Sequence, residues 1–526
     1  MTRFRRTQSE QPGSVSRSPA AGGPTEPVAA PAVSGNGPIG RRGFLLAGTG
    51  AAAAVAFGGP SLKALGTAPS LLTRAAAADP ATTGQWTTPF NLSLVSIHAV
   101  VLHTGEVLLF SWPNKTVGSD ATLWDPVSGG LTNVALTYQR DIFCAGTSVL
   151  SDGRVFIAGG HLYEGVFGNG VTNTTIFDPA SNAWTEGPTM SQARWYPTTA
   201  ELGDGSVMIF AGTTTPKVQA TTVDHYNPAS NTITTLPAGA SKAMITYPRM
   251  KLTTSGLLAW TNEATTYFLN PATSAWTKGP KLNSAGRGVT DTSVLLPGLT
   301  KIMEIGGSTS SGATNTAEIL DLSASTPAWA YTGAMASPRL WANTVLLADG
   351  TVLVVGGGTQ GSYSGPVFTA EIYDPASATW TVMAAQTAPR MYHSTAVLLP
   401  DGRVLSAGQS QGKYQTTGEI FSPPYLFAGA RPTISSAPAT LGYGQGFTIS
   451  TPDAASISRV ALVKAGAVTH SNNFDQRYVD CTFSASGGGL SATSPPDSNH
   501  APPGWYMLFL VNSSGVPSVA SWVQVS

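Results

Sequence analysis

The sequence predicts an all-β protein in which a β-propeller is followed by a smaller β-sandwich. Glycine and proline are abundant, at 58 and 38 of 526 residues, which is typical of many turns and few long helices. A motif of strands and tight turns recurs along most of the chain. A stretch of short β-rich runs without that motif then ends the sequence.

The recurring motif is an apolar strand, Asp-Gly, a second apolar strand, Gly-Gly, and a strand ending in Asp-Pro and Trp. The clearest copy runs from Thr147 to Trp184, and another includes Asp349-Gly350 and Trp380. Asp-Gly between alternating apolar runs favours a tight hairpin. A period of about 50 residues matches the kelch type of propeller blade. Weaker copies begin near Ser96, Tyr196, Tyr247, Val289 and His393.

Seven copies therefore predict a seven-bladed, kelch-like propeller over residues 90–428. The tryptophans that close several copies are expected to pack between blades. Beyond residue 430 the double glycines stop, and β-rich runs cover 446–450, 458–464, 505–511 and 521–525. This strand spacing over about 100 residues predicts an immunoglobulin-like sandwich at 430–526.

The first 78 residues are expected to serve export, not folding. Residues 1–40 are rich in Pro, Ser, Gly and Ala and are predicted to be disordered. Arg41-Arg42 precedes a short apolar stretch and Ala76-Ala77-Ala78, a pattern typical of a cleavable twin-arginine signal over 41–78. The alternatives are a chance pair of arginines and an uncleaved membrane anchor, and only an uncleaved signal would give the chain contact with a membrane. We thus expect an extracellular or envelope-associated protein.

Charge and cysteine content exclude several functional classes. Acidic and basic residues balance at 28 each and charged residues make up only 11%, so no field of one sign is available to bind nucleic acid. Two cysteines, Cys144 and Cys481, are too few for a disulfide framework. We expect a monomer that acts on a small molecule.

One repeat position collects reactive side chains. Eight residues before the Asp-Gly turn, a point that we call the ring position, lie Cys144, Tyr196, Trp341 and His393, and Tyr392 precedes His393. In weaker copies, Ser255-Gly256 and Thr104-Gly105 replace the turn and give Tyr247 and Ser96. Equivalent points on successive blades form a circle around one mouth of the central channel. A redox metal suits this set, because imidazole and phenolate are ligands for copper. With one histidine in the circle, a second nitrogen ligand must come from elsewhere.

The same residues lie in motifs that resemble the copper radical oxidases, namely galactose oxidase and, more closely, glyoxal oxidase. The similarity covers about residues 90–526 and omits the N-terminal sugar-binding domain of galactose oxidase. The matching motifs are Asp141-Ile142-Phe143-Cys144-Ala145-Gly146, Ala193-Arg194-Trp195-Tyr196-Pro197, Arg390-Met391-Tyr392-His393-Ser394, Thr469-His470 with Asp475-Gln476-Arg477, Gly504-Trp505-Tyr506-Met507-Leu508-Phe509 and Gly515-Val516-Pro517-Ser518.

The resemblance implies a role for each motif residue. Tyr196 resembles an equatorial copper ligand that is linked through a thioether to Cys144 and carries a tyrosyl radical. Tyr392 resembles the axial tyrosine and His393 the first histidine ligand. His470 resembles the second histidine, carried by a loop of the C-terminal domain that enters the propeller channel. The implied cofactors are one copper ion and the cross-linked Cys144–Tyr196 radical.

The chain departs from galactose oxidase after the Gly-Gly of the third blade. Galactose oxidase has a tryptophan there that covers the cross-linked tyrosine, whereas this chain has Ala211-Gly212-Thr213-Thr214. Trp195 and Trp341 are the alternative covering residues, so galactose is not implied as the substrate. The residues expected at the substrate mouth are Phe143, Tyr247, Arg249 and Trp341, and for Tyr247 and Trp341 packing inside the channel is an equal alternative.

Each site residue also has a purely structural interpretation. Cys144 could be a buried thiol or pair with Cys481, Tyr196 could be a core residue, and His470 an ordinary loop histidine. Cys481 is expected to be a buried free cysteine, and structural or surface roles are expected for His98, His103, His161, His225 and His500.

Two functional hypotheses follow. The first is an oxidase of small aldehydes or primary alcohols that reduces O2 to H2O2. The second is a non-catalytic kelch propeller that binds glycans or proteins in the cell envelope.

Overall fold

The computed structural model describes residues 79–112, 118–136, 141–162, 168–409 and 414–526. The chain divides into two units, residues 1–74 and Ala75–Ser526. The first unit lies outside the described residues, as do the predicted disordered segment 1–40 and export signal 41–78. Within the described ranges, helices are too short or too polar to cross a membrane.

The second unit contains seven four-stranded antiparallel sheets, one for each predicted copy of the motif. We number these sheets as blades 1–7 in chain order. Blade 1 comprises His98–Val101, Val107–Phe110, Ala121–Trp124 and Leu131–Asn133. Blade 2 comprises Gly146–Val149, Val155–Ala158, Thr174–Asp178 and Ala183–Glu186. Blade 3 comprises Trp195–Glu201, Val207–Thr215, Asp224–Asn227 and Thr232–Thr235, with Val218–Gln219 on an edge.

The remaining blades repeat this up-and-down order. Blade 4 comprises Met250–Leu252, Leu258–Trp260, Thr265–Asn270 and Ala275–Lys281. Blade 5 comprises Asp291–Leu295, Lys301–Gly306, Ala317–Asp321 and Trp329–Tyr331. Blade 6 comprises Asn343–Leu346, Val352–Val355, Thr369–Asp374 and Thr379–Ala385. Small hairpins project from blades 5 and 6 at Ser308–Thr309 with Gly312–Ala313 and at Gly358–Gln360 with Ser364–Pro366.

Blade 7 is built from both ends of the repeat region. Its first three strands are Ser394–Leu398, Val404–Gly408 and Thr417–Ser422, and the fourth is Gln85–Trp86 from before blade 1. Gln85 pairs with Ser422 in antiparallel register, and Phe90–Asn91 adds to the same strand. Hydrogen bonds between the first and last parts of the domain therefore close a seven-bladed propeller, which confirms the predicted fold class.

The tryptophans that end the blades do pack between blades, as predicted. In each case the indole N–H donates a hydrogen bond to the preceding blade or to the segment that follows that blade. The acceptors are the Val134 carbonyl for Trp184, the Ala240 carbonyl for Trp276, Thr266 Oγ1 for Trp329, the Gly333 carbonyl for Trp380 and the Ala384 carbonyl for Trp86. A buried indole needs such a partner, so each bond fixes neighbouring blades in register.

The C-terminal region folds into two further sheets around its own apolar core. One sheet contains Thr440–Leu441, Ser521–Val525, Gly504–Asn512, Ile457–Lys464 and Arg477–Cys481. The other contains Gly446–Ser450, Gly489–Thr493 and Phe483–Ser486. Ile449, Val460, Leu490 and Leu508, all fully buried, lie in the core between them. The described helices are short: Pro80–Thr83 is α-helical, and Ala238–Ala240, Gly288–Thr290, Pro424–Phe427 and Ala454–Ser456 are 3₁₀ turns.

Residues 467–477, which we call the plug segment, leave the sandwich and contact the innermost strands of the propeller. Ala467–Thr469 pairs with His98–Val101 and extends the sheet of blade 1. The Val149 amide of blade 2 donates to Asp475 at 2.6 Å, and Gln476 exchanges two hydrogen bonds with Leu346 of blade 6. Because the segment contacts several blades at once, its position in the channel is fixed by the closed propeller.

Candidate active site

The ring position has an unusual backbone conformation that is repeated around the propeller. Cys144, Tyr196, Tyr247, Trp341 and His393 have φ angles of 58°, 64°, 49°, 60° and 66°. Side chains of this size rarely adopt positive φ, and such strain clusters at functional sites. The Tyr196 amide donates to the Cys144 carbonyl at 3.0 Å, and the Tyr247 amide to the Tyr196 carbonyl at 3.0 Å. Neighbouring blades thus hold each other's ring residues directly through the backbone.

Buried arginines fix the approach to four of the ring positions. Arg194, for example, donates to the Ala211 carbonyl at 2.8 Å and to Asp224 at 3.0 Å, and its side chain has no exposed surface. The same bonds recur for Arg287 with Gly306 and Glu318, Arg339 with Gly356 and Glu371, and Arg390 with Gly408 and Glu419. A fully buried ion pair specifies geometry more than it adds stability. An arginine two or three residues before the ring position is the sequence signal for this arrangement.

His470 reaches the ring from the turn of the plug segment. It follows the strand Ala467–Thr469 and, with Ser471, adopts positive φ, at 49° and 62°. Nη2 of Arg249 donates to the His470 carbonyl at 3.3 Å, while the same guanidinium pairs with Asp291 at 3.1 Å. The turn that presents the imidazole is thus held by both its own strand pairing and blade 4.

The structure brings all five motif residues together in what we call the donor cluster: Cys144, Tyr196, Tyr392, His393 and His470. The two phenol oxygens lie 2.6 Å apart. The sulfur of Cys144 lies 3.4 Å from Nε2 of His470 and 4.0 Å from Nε2 of His393. One ligand atom from each of these three residues fits within 4.8 Å of the others. The site is thus a compact set of sulfur, oxygen and nitrogen donors.

Burial keeps the two histidines of the donor cluster in the neutral form that can bind a metal. It lowers the pKa of His393 to about 3, and burial together with nearby His393 lowers the pKa of His470 well below its ordinary value. Both imidazoles are therefore neutral at physiological pH and can offer a lone pair. Burial, followed by the neighbouring Cys144 and Tyr392, raises the pKa of Tyr196 well above its ordinary value. A cation at the site would have to displace the phenol proton.

Hydrogen bonds also orient the histidines. Thr469 Oγ1 lies 2.5 Å from Nδ1 of His470, which leaves Nε2 directed at the donor cluster. A hydrogen bond on one ring nitrogen that fixes the other toward the ion is typical of metal-binding histidines. The donor set of two imidazoles and two phenols fits the tetragonal N,O environment of copper(II). The described residues therefore meet the chemical requirements of the copper site implied by the resemblance.

His98 is a neighbour of the site that the sequence analysis gave only a general structural role. It is fully buried, stacks on Phe110 at 4.1 Å, and its Nε2 accepts a hydrogen bond from the Cys144 amide at 3.2 Å. Burial, and then nearby His393, lowers the pKa of His98 well below its ordinary value. A neutral His98 thus anchors the backbone of Cys144. Its place on the innermost strand of blade 1, facing the plug segment, was the available signal.

Of the two alternative covering residues, the structure places Trp195 beside Tyr196. The ring centroids of Trp195 and Tyr196 lie 4.3 Å apart at 61°. Trp341 instead packs on Tyr392, at 4.5 Å. Trp195 reaches Tyr196 from the preceding residue of the same strand.

The residues expected at the substrate mouth divide into two pairs. Phe143 lies 5.5 Å from His393 and Trp341 beside Tyr392, so both border the donor cluster. Tyr247 is buried, packs on His470 at 4.7 Å and donates to the Ala145 carbonyl at 3.1 Å. Arg249 is fully buried in its bonds to Asp291 and the plug segment. For Arg249 the structure differs from the expectation, because its side chain is fully buried and supports the plug segment. Tyr247 is buried like Phe143, and its packing against His470 matches the alternative of channel packing.

The other cysteine and histidines lie outside the cluster. Cys144 and Cys481 form no disulfide with each other, so the disulfide alternative is wrong, and Cys481 is buried on the strand Arg477–Cys481 as expected. His103 stacks on Trp505, His161 lies beside Trp195, His225 bonds to Ser206, and His500 bonds to Asp497.

Comparison with known proteins agrees with this geometry. Residues 119–425 match the family model described as glyoxal oxidase N-terminus, and residues 431–525 match the galactose oxidase-like, early set domain. A galactose oxidase from Gibberella zeae is 31% identical over 490 residues, covering 84% of this chain and 71% of that protein. Aldehyde oxidase GLOX from Vitis pseudoreticulata is 29% identical over 513 residues, covering 83% and 95% of the two chains.

A solved structure is also similar throughout the propeller and sandwich. It is described as a novel fungal alcohol oxidase with catalytic diversity among the AA5 family, in complex with copper. It superposes with a TM-score of 0.75 at 26% identity and covers 85% of this chain and all of its own. Together with the match of the propeller to the glyoxal oxidase model, these similarities show that the chain belongs to the copper radical oxidase family, with glyoxal oxidase and galactose oxidase among its relatives.

Proposed function

We propose that this protein is a copper radical oxidase that oxidises small aldehydes or primary alcohols and reduces O2 to H2O2. The observation that carries the proposal is the convergence of His470, from the sandwich, with Cys144, Tyr196, Tyr392 and His393 from three blades. These residues are far apart in sequence, and a purely structural core has no need of five redox or metal-binding groups at one point. The membership of the chain in an oxidase family supports the same assignment.

We propose that Tyr196, Tyr392, His393 and His470 hold one copper ion. Copper supplies an acceptor for one electron and a Lewis acid that holds the substrate oxygen. His470 would bind the ion through Nε2, because its Nδ1 is engaged by Thr469. The second phenol oxygen lies 2.6 Å from that of Tyr196, so one tyrosine can take a proton while the other takes a hydrogen atom.

Cys144 and Tyr196 are proposed to form a thioether that converts Tyr196 into a stable radical centre. Both occupy the ring position in adjacent blades, and the half-buried Tyr196 packs against the apolar cluster that contains Cys144. Formation of the bond removes the thiol hydrogen and one ring hydrogen, and O2 accepts both with their electrons to give H2O2. Trp195 covers the resulting side chain and shields the radical from solvent.

The residues then divide the two-electron oxidation of a primary alcohol. Tyr392 accepts the hydroxyl proton, and oxidised Tyr196 accepts a hydrogen atom from the carbon. The balanced reaction is RCH2OH + O2 → RCHO + H2O2, and an aldehyde reacts as its hydrate to give the acid. The plug segment excludes water from the channel side of the site, since His470, Ser471 and Asn472 are all buried.

Peroxide release from copper-loaded protein tests the proposed function. Methylglyoxal, glycolaldehyde and galactose serve as substrates, and we expect the aldehydes to be oxidised faster. Tyr196→Phe should abolish turnover, whereas Tyr226→Phe, which changes a buried tyrosine of blade 3 outside the site, should retain it. A copper-loaded wild type without peroxide release from any aldehyde or alcohol would refute the assignment.

The export route is proposed on sequence grounds alone. Arg41-Arg42 and the apolar stretch that follows support twin-arginine export to the envelope or medium, by a chain that acts as a monomer. Replacement of both arginines by lysine should keep the protein in the cytoplasm of its producing cell. Secretion of this variant at the wild-type level would contradict the proposal. Two further expectations also rest on the sequence and stay predictions. They are the domain bounds at 90–428 and 430–526 and the kelch assignment of the repeat.

A further inference from the structure

Aromatic side chains flank the donor cluster on two sides. On one side, Phe143 lies 5.5 Å from His393, Trp112 lies 5.6 Å from Phe143, and Tyr414 lies 5.4 Å from Trp112. Exposure increases along this series from buried Phe143, through half-buried Trp112, to Tyr414, which is 64% exposed. The series therefore connects a copper ligand with solvent.

The second side adjoins the other ligand of the same motif. Trp341 lies 4.5 Å and Tyr363 lies 5.5 Å from Tyr392, and both come from blade 6 or its hairpin. Tyr392 and His393 stack at 3.9 Å, so the two aromatic walls adjoin one pair of ligands. Trp112 and Tyr414 were not among the residues expected at the mouth, because they lie outside the repeat register.

We propose that these walls make the site selective for primary alcohols and aldehydes that carry a flat apolar group, such as benzyl alcohol. This inference rests on the proposed oxidase function and specifies its substrate class. Aromatic faces and edges bind other aromatic rings through stacking and apolar burial. Selectivity for a sugar instead requires side chains that form hydrogen bonds with several hydroxyls. Each of the five wall residues offers at most one polar group, an indole N–H or a phenol, so these walls do not favour a sugar.

Two substrates, one with an aromatic group and one without, separate this proposal from a general loss of activity. Full-length copper-loaded protein is assayed for peroxide release with benzyl alcohol and with glycolaldehyde. Trp112→Ala should lower kcat/KM for benzyl alcohol about tenfold and leave that for glycolaldehyde within about twofold. Tyr414→Ala, at an exposed position that cannot disturb the core, should lower the benzyl alcohol value about threefold. Tyr331→Ala, which removes an exposed tyrosine of blade 5, is the matched control and should change neither.

A binding experiment makes the inference independent of turnover. Saturation-transfer NMR on the copper-free full chain should detect benzyl alcohol on the wild type, a weaker signal on Trp112→Ala and no signal from galactose. Equal effects of Trp112→Ala on benzyl alcohol and glycolaldehyde, or no effect on either, would overturn the substrate class while the oxidase assignment stands. Benzyl alcohol binding without peroxide from any substrate would instead overturn the oxidase function.

Discussion

The plug segment joins two buried polar regions that differ in chemistry. His470 completes the donor cluster, whose imidazoles are held neutral by burial. A few residues later, Asp475 and Arg477 join Glu201, Lys251 and Lys464 around a cavity of ≈ 40 Å³, a group that we call the ionic cluster. Lys464 of the sandwich pairs with Glu201 of blade 3, and Arg477 donates to the Leu252 carbonyl of blade 4 at 3.0 Å.

The difference shows that one docking element serves two purposes. In the ionic cluster, Lys464 of the sandwich pairs with Glu201 of the propeller, and Asp475 and Arg477 bond to backbone groups of the blades. These contacts hold the two domains together. The donor cluster instead consists of imidazole, phenol and thiol groups, which are ligand types that suit a metal cation. Removal of one partner of a buried ion pair is strongly destabilising, because the other charge stays buried without a partner. The ionic cluster therefore fixes the segment that carries His470.

The largest expected effect is loss of the one donor that the sandwich provides. His470→Ala should lower peroxide release by about 10³-fold, because several kcal/mol of metal-based stabilisation are removed. Copper content after dialysis, measured by mass spectrometry of the metal, should fall with it. His500→Ala removes a surface histidine bonded to Asp497 and serves as the control. Unchanged copper content in His470→Ala would show that the donor cluster does not need His470 to hold the metal.

Breaking the ionic cluster should first affect stability. Lys464→Met leaves Glu201 buried without its partner and should lower the free energy of unfolding by about 3–5 kcal/mol. Calorimetry on the copper-free protein at pH 8, above the pKa of about 7 to which burial raises Glu201, measures this loss with the carboxylate ionised. Lys464→Met combined with Glu201→Leu should recover most of the loss, since no charge then stays unpaired. If the single variant is as stable as the wild type, the sandwich is held by its apolar contacts alone.

The ionic cluster should also give stability a defined pH dependence. Burial raises the pKa of Glu201 to about 7, above its ordinary value, so its contribution to stability is full below pH ~4.5 and is lost as pH rises toward 7. Glutamine lacks this ionisation. Between pH 4.5 and pH 8, the free energy of unfolding of Glu201→Gln should therefore rise by about 3 kcal/mol relative to that of the wild type. Thermal unfolding at both pH values measures this difference. Glu186→Gln, at an exposed position of blade 2, is the control, and a pH-independent difference for Glu201→Gln would contradict the assignment.

The smallest expected effect concerns the orientation of His470. Thr469→Val keeps the side-chain shape and removes the hydroxyl next to Nδ1, so copper affinity should fall about 10- to 100-fold with little loss of stability. Competition with a copper chelator measures the affinity. Thr482→Val, a change after the strand Arg477–Cys481, should leave it unaltered. An affinity of Thr469→Val equal to that of the wild type would mean that strand pairing alone orients the imidazole.

The repeat predicted much of the propeller and part of the site for a physical reason. The spacing from the Asp-Gly turn to the start of the innermost strand is fixed by hairpin geometry, so it located Cys144, Tyr196 and His393 at equivalent points. His470 has no such register, because it lies on a hairpin of another domain, and only the family resemblance identified it. Trp112 and Tyr414 follow no repeat spacing, and their position depends on tertiary packing.

The sequence pattern also could not predict which charged residues are buried. No sequence motif at Arg249 distinguishes an arginine that binds substrate from one that pairs with Asp291. The two kinds of arginine differ only in their tertiary partners. The arginines before the ring position could have been recognised by their recurring spacing. Their acidic partners lie about 30 residues away on the third strand of the blade, which the repeat alone does not align.

The most direct test of the donor cluster is the mass of the denatured chain after exposure to copper and O2. A thioether between Cys144 and Tyr196 removes two hydrogens and links two proteolytic peptides, one from the start of blade 2 and one from the start of blade 3. We expect the linked peptide in the wild type and its absence in Cys144→Ser. Two separate peptides with an intact thiol, recovered from copper-loaded wild-type protein, would contradict the account.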